Sequence, residues 1–358
     1  MVLTIENICD YLLNNQLINK KAIIEGDLLI RDVSSRNTNF LVNQFHENGI
    51  KILIKQPDIN DSDYIESMKV EAGIYQLIFN NEDFEQVKLY LPKFNRYDAQ
   101  NHILIMEQIT GVCRVFDYLF HGLNLPDEHI SAHFAHALSA LHNIKIEQTS
   151  FSEIPKAYPW FLNISQKSYQ KKIKKNHPTV HQYLSEIFEN KKWMTIISST
   201  RRNWQVENII HLDSRFTNWM ISFRHQPTQN DPVWLIDWEM AGKGDAAWDV
   251  AFLMGEWINA GLFFQENHPT LFPDIEQTII KQLNFFWKDY SVRRGFSLSL
   301  RKDFFKRVCR YLTLRILMVV YELLLEDEEV SQTVLTLTIL FKKMVEEPRE
   351  VQKKYFYD

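Results

Sequence analysis

The hydrophobic periodicity of this chain changes once, near residue 109, and that change limits the folds open to it. Before it, short runs alternate between apolar and polar residues, as strands do; after it, apolar residues mostly recur at helical three- and four-residue steps. Residues 5–19 read as a short amphipathic helix. The stretch LLIRDVSSRNTNFLVNQFHENGIKILIKQ reads as three strands, the last two joined through Asn48-Gly49, a pair that tolerates positive φ in a tight hairpin. In YIESMKVEAGIYQLIF the residues Ile65, Met68, Ala72, Tyr75 and Phe79 share one helical face, and HILIME reads as a buried strand. Helix, three strands, helix, strand: residues 1–108 are expected to form a small α+β unit around an antiparallel sheet.

Residues 109–358 read as a larger, mainly helical lobe. Pro126-Asp127 opens a helix striped by Ile130, Phe134, Leu138 and Leu141, and further helices are expected near 275–288, 303–324 and 332–346. One β insertion interrupts them, NWMISFRHQPTQNDPVWLIDW, with two apolar runs around the turn-forming HQPTQNDP. A length of 358 residues suits two folding units of ~150 residues or more each. The expected fold class is therefore α+β and bilobal, a small sheet-bearing lobe followed by a helical one.

Composition removes several functions. Hydrophobic residues make up 45% and charged residues 24%, a globular balance, and the formal net charge of −5 provides no positive field for a polyphosphate backbone. The run Lys171-Lys172-Ile173-Lys174-Lys175 accordingly reads as a solvated helix face, and no nucleic-acid partner is expected. The three cysteines, Cys9, Cys113 and Cys309, lack CxxC spacing, which argues against a disulfide framework or zinc knuckle and for a reducing compartment. The N-terminus carries Glu6 and Asp10 without a basic leader, and LTLRILMVVYELLL is broken by Arg315 and Glu322, short of the ~18–20 apolar residues of a membrane span. A cytoplasmic protein with no membrane partner is expected; oligomeric state is not legible. HExxH and GxSxG are absent, and His133 and His136 have no third ligand nearby in sequence.

The chemistry concentrates in H-L-D-S-R-F-T-N, residues 211–218, and in L-I-D-W-E, residues 235–239. Asn218 begins the outgoing arm of the predicted hairpin and Asp237 ends the returning one, so both belong at its open end, with Asp213 in the loop just before. Two carboxylates and a carboxamide at one spot repel unless a cation sits among them, and a hard oxygen-seeking ion such as Mg2+ suits them. In the first lobe Lys55 lies in the strand ILIKQ and Glu71 on the following helix, placed to pair and to aim an ammonium at phosphate. His211 reads as a structural histidine rather than a proton shuttle. Asp245 and Asp249 read as caps and braces of the next helix. Glu326-Asp327-Glu328-Glu329 reads as a hydrated helix end; with a cationic substrate, these acids or Glu256 would be candidates to steer it.

In this order the residues resemble the aminoglycoside phosphotransferase and choline kinase family, small-molecule kinases of the protein-kinase-like fold. The resemblance covers most of residues 20–255: Lys55, Glu71, the strand LIME, the helix end ALSALHN, H-x-D-x-x-x-x-N, L-I-D-W-E and A-G-K-G-D-A-A-W-D-V-A. It implies a Mg2+-dependent kinase that moves the γ-phosphoryl group of ATP or GTP to a hydroxyl of a small-molecule acceptor. Asp213 would be the base, Asn218 and Asp237 metal ligands with Glu239 assisting, and Lys55 a phosphate ligand oriented by Glu71. Backbone groups from Glu107 to Ile109 would bind the purine. Two departures stand out. Leu212 follows His211 where the family usually has glycine, and the phosphate-covering turn S-S-R-N-T-N lacks glycine, so Ser35, Asn37 and Thr38 would donate through side chains. Two other functions stay open: a protein Ser/Thr kinase of the same fold, and a non-catalytic nucleotide-binding or scaffold relative. Neither the acceptor nor the choice between ATP and GTP has a diagnostic spacing.

Overall fold

The computed structural model describes residues 1–34, 37–45, 49–124, 128–144, 154–222, 231–326 and 330–356. They form two compact units, Met1–Val112 with Pro232–Ala241, and Cys113–Asp231 with Gly242–Asp358.

The first unit runs α1 (Ile8–Asn14), α2 (Lys20–Ile24), β1 (Leu28–Asp32), β2 (Thr38–Gln44), β3 (Lys51–Gln56), α3 (Ser62–Phe79), α4 (Glu85–Lys88), β4 (Phe94–Asp98) and β5 (Ile103–Glu107). The strands form one antiparallel sheet in the order β1-β2-β3-β5-β4. Ile8, Tyr11 and Leu12 of α1 pack with Phe40, Val42, Ile52, Ile54, Ile103 and Ile105 into a core on one sheet face. Side chains alternate along β3, with Ile52, Ile54 and Gln56 buried, so Lys55 projects from the opposite face. Asp61 caps α3 by accepting from the Asp63 and Tyr64 backbone N–H groups. The inward face of α3 carries Met68, Glu71, Ala72, Ile74, Tyr75 and Ile78; Ile65 and Phe79, expected on it, are only half-buried.

Three features differ from expectation. The strand β4 reads FNRYD, too polar for periodicity to mark, and its pairing with β5 carries an irregularity between Phe94 and Arg96. The short helix α2 also went unread. The β2–β3 connection is longer than a two-residue turn: Gln44 N–H donates to Ile50 O at 2.9 Å, and Gly49 is not in the left-handed region that a tight Asn-Gly hairpin would need. Asn48 lies outside the described residues.

The second unit contains α5 (Glu128–His142), α6 (Lys167–Asn176), α7 (Pro178–Tyr183), α8 (Ser185–Glu189), α9 (Lys191–Arg202), α10 (Ala246–Asn267), α11 (Ile275–Arg293), α12 (Leu298–Glu326), α13 (Gln332–Glu346) and α14 (Pro348–Tyr355). All four predicted stripe residues of α5 are buried, while Pro126-Asp127 lies outside the described residues. On α6 only Ile173 is buried and its lysines face solvent, as expected. Asn208–Ile210 pairs antiparallel with Gly242–Gly244, and a Cβ on Gly244 would come within 2.4 Å of the Ile210 side chain, so the close approach requires glycine. The two apolar runs of the β insertion form strands Trp219–Ser222 and Val233–Leu235; residues 225–230 of the intervening turn, like 327–329 of the acidic run, lie outside the described residues. Among the described residues no helix is long and apolar enough to cross a membrane.

Candidate active site

In the first unit, Lys55 is held between two carboxylates. Its Nζ donates to Glu71 Oε2 at 2.7 Å and Oε1 at 2.9 Å, and to Asp237 Oδ1 at 3.2 Å. Glu71 is brought there by the inward face of α3. Asp237 is brought by the segment after the strand Val233–Leu235, where the 3₁₀ turn Trp238–Met240 begins and the Trp238 indole N–H donates to Leu235 O at 2.9 Å. Asp237 takes the left-handed conformation, φ 68°, which aspartate tolerates better than most residues and which re-aims the chain at this point.

The electrostatics follow from burial and pairing. Burial works against the Lys55 ammonium, yet Glu71 and Asp237 outweigh it and its pKa is raised. Burial pushes the Glu71 carboxyl up, as do Asp237 and Glu239, while Lys55 pulls it back. One ammonium thus faces two carboxylates, and with Asp237 40% exposed on its side chain the excess negative charge is open to solvent. The donor set suits a hard divalent cation. Among the described residues no group of three or more His, Cys, Asp or Glu could hold a metal by itself, so carboxamide, water or phosphate oxygens must complete any shell.

The other sequence-predicted residues of this unit are placed as follows. Thr38 pairs with Gln56 and Asn39 with Lys55, so Asn37 and Thr38 enter β2 at the end of the sheet that bears Lys55. Ser34 Oγ accepts from Asn39 N–H at 3.0 Å, and Ser35 lies outside the described residues. Glu107 ends β5, where its N–H donates to Lys93 O at 2.8 Å and Gln108 N–H to Lys51 O at 2.9 Å, so two of the expected hinge donors are used within the sheet. Ile109 follows, half-buried.

In the second unit, the loop 211–218 is pinned from below. The buried carboxylate of Asp249, in the first turn of α10, accepts from His211 N–H at 2.7 Å and Leu212 N–H at 2.9 Å. The Trp248 indole N–H donates to Leu212 O at 3.0 Å. Between these contacts Leu212 adopts φ 72°, so leucine here takes the left-handed backbone that glycine adopts at no steric cost. The polar end of the loop survives the substitution. Asp213 accepts Arg215 Nε–H on Oδ1 at 2.7 Å and Asn218 Nδ2–H on Oδ2 at 3.1 Å. Asn218 Nδ2 also donates to Asp213 O at 2.9 Å, which commits its amide nitrogen. Beneath them Phe216 and Trp219 pack on Phe134 and Trp257, with centroids 4.5 Å apart for Phe134 and Trp219 and 4.7 Å for Phe216 and Trp257.

His211 is fully buried, in keeping with a structural role. Sequence reasoning missed two functional supports. Asp249, expected only to brace its helix, anchors the backbone of the 211–218 loop; the signal was its place in the W-D-V motif, not its chemistry. Arg215 was passed over although it stands between Asp213 and Asn218. Burial pulls the Arg215 guanidinium down, but Asp213 and Glu322 outweigh it and keep it charged. Glu256, a candidate to steer a cationic substrate, is instead bound to Arg315 at 2.7 Å and to Phe216 N–H at 3.0 Å.

An antiparallel five-stranded unit with a paired lysine, followed by a helical unit with an anchored H-x-D-x-x-x-x-N loop, is the protein-kinase-like fold. Residues 107–275 match the phosphotransferase enzyme family, APH. That match spans a little under half of the chain and takes in the 211–218 loop and Asp237. Among solved structures the chain is similar to a choline/ethanolamine kinase family protein from Mesorhizobium loti, at 15% identity over 91% of each chain, with a TM-score of 0.52. It is also similar to aminoglycoside 2′-phosphotransferase-IIIa in its GDP complex, at 13% identity over 93% of this chain and 98% of that one, with a TM-score of 0.50. At such identities the structural likeness speaks for the fold alone. A search of curated proteins returned no significant match.

Proposed function

We propose that this protein transfers the γ-phosphoryl group of ATP or GTP, as its Mg2+ complex, to a hydroxyl of a small-molecule acceptor. The observation that carries the reading is Lys55 held by Glu71 and Asp237: a charged amine kept half-buried by two acids is positioned to bind phosphate oxygens. Glu71 orients the ammonium, and the first unit binds the nucleotide, with Asn37, Thr38 and Ser35 donating to phosphate and Glu107 to Ile109 meeting the base. Asp237, Glu239 and Asn218 Oδ1 supply oxygen ligands for Mg2+, which when bound neutralises phosphate charge. In the second unit Asp213, fixed by Arg215 and Asn218, orients the acceptor hydroxyl and takes its proton as the new oxygen–phosphorus bond forms and the bond from the γ-phosphorus to the bridging oxygen breaks, releasing ADP or GDP. That unit binds the acceptor. The GDP complex named for one structural relative supports nucleotide use.

The test is turnover of Mg2+ with ATP or GTP against a panel of hydroxylated metabolites and aminoglycosides. Asp213→Ala and Asp237→Asn should each lower kcat by at least ~10²-fold, and EDTA should abolish turnover. Undiminished turnover in Asp213→Ala refutes the assignment.

A further inference from the structure

Behind the 211–218 loop lies a chain of charges that the sequence did not disclose. Arg315, in the middle of α12, has only 4% of its side chain exposed. Its guanidinium stacks over the Phe252 ring, 4.0 Å from the centroid, and its stem fills the space left by Gly255, where a Cβ would stand 2.5 Å from Arg315 Cγ. The guanidinium has two prongs. Nη2 donates to Glu256 Oε1 at 2.7 Å and Nη1 to Glu322 Oε2 at 2.8 Å. Each acid then reaches the loop: Glu256 Oε2 accepts from Phe216 N–H at 3.0 Å, and Glu322 Oε1 lies 3.6 Å from Arg215 Nη2. Arg215 in turn holds Asp213 at 2.7 Å. One buried cation therefore ends, by two arms, on the backbone and on the carboxylate of the same loop.

Stability alone does not call for such an arrangement, since well-packed apolar residues replace buried ion pairs at little or no loss. Fixed geometry is what it adds, and misplacing a catalytic group by about 1 Å costs on the order of 10²-fold in rate. We propose that Arg315 is a positioning residue for phosphoryl transfer, setting the orientation of Asp213 from α12 through Glu322–Arg215 and Glu256–Phe216. The inference rests on the role given to Asp213 above.

The experiment compares Arg315→Met, Glu256→Gln, their double variant and Asp213→Ala, each assayed well below its own unfolding midpoint. Arg315→Met should lower kcat by about 10- to 100-fold with the nucleotide KM unchanged. Arg315→Lys, which keeps the charge but lacks the fork, should fall between it and the wild type. The double variant should lose no more than the worse single variant, because both remove one network. Full kcat in folded Arg315→Met, or losses that multiply in the double variant, overturns the proposal. If Arg315→Met does not fold, Glu322→Gln, in a partly exposed part of the network, decides: a fall in kcat at constant nucleotide KM supports the proposal and an unchanged kcat overturns it. Asp213→Ala separates the two readings. If it stays active, the proposed function falls; if it is dead while the Arg315 and Glu256 variants are fully active, only the positioning role falls.

Discussion

Replacing Leu212 by glycine and by alanine tests how the 211–218 loop is built. Leu212 sits at φ 72° with only 5% of its surface exposed, its N–H on Asp249 and its carbonyl on Trp248. Both variants lose the buried side chain, worth about 2–5 kcal/mol. They differ in backbone. Alanine keeps the left-handed penalty of about 1–2 kcal/mol, which glycine does not pay. Glycine loses about 0.4–1 kcal/mol to the greater freedom of its unfolded chain. At mid-range, about 1.5 against about 0.7 kcal/mol, the difference leaves Leu212→Gly more stable than Leu212→Ala by roughly 0.8 kcal/mol, the reverse of the usual order in helices and strands. At about 2–4 °C per kcal/mol this is a separation of some 1–4 °C in thermal midpoint, readable by circular dichroism. The glycine variant, though less stable than wild type, should keep kcat, because the two hydrogen bonds to Asp249 come from the backbone. An alanine variant as stable as the glycine one would show that the loop does not hold the left-handed turn. Lost activity in folded Leu212→Gly would mean that the leucine side chain itself shapes the site.

Two further outcomes are expected. Lys55→Met leaves Glu71 buried without its cation and should cost about 3–5 kcal/mol, much of it restored in Lys55→Met/Glu71→Gln; midpoints measured at pH 7 that show no rescue contradict the pairing. Buried His142 stands 3.3 Å from Asp249 and 2.9 Å from the Tyr290 hydroxyl, and burial lowers its pKa from 6.5. The unfolded chain then binds the proton first, so this contribution to stability is present above pH ~6.5 and is lost as pH falls below it. The thermal midpoint should drop between pH 7 and 5, and His142→Gln should flatten the slope; identical slopes refute the assignment.

The candidate residues could be picked out because their signals are local. Asp213, Asn218, Asp237, Lys55 and Glu71 are recognisable by residue type, order and spacing, and the long helices α5, α11, α12 and α13 announce themselves by period. The strand β4 escaped because a partner strand rather than alternation holds it. What only the tertiary structure decided are the supports: Asp249 beneath Leu212, Arg215 on Asp213, Arg315 behind both. A sequence pattern reports which face of an element is apolar and which residues carry charge. It does not report which charge on one helix meets the backbone N–H of a distant loop, as Asp249 meets His211 and Glu256 meets Phe216, because that meeting is set by how whole elements pack.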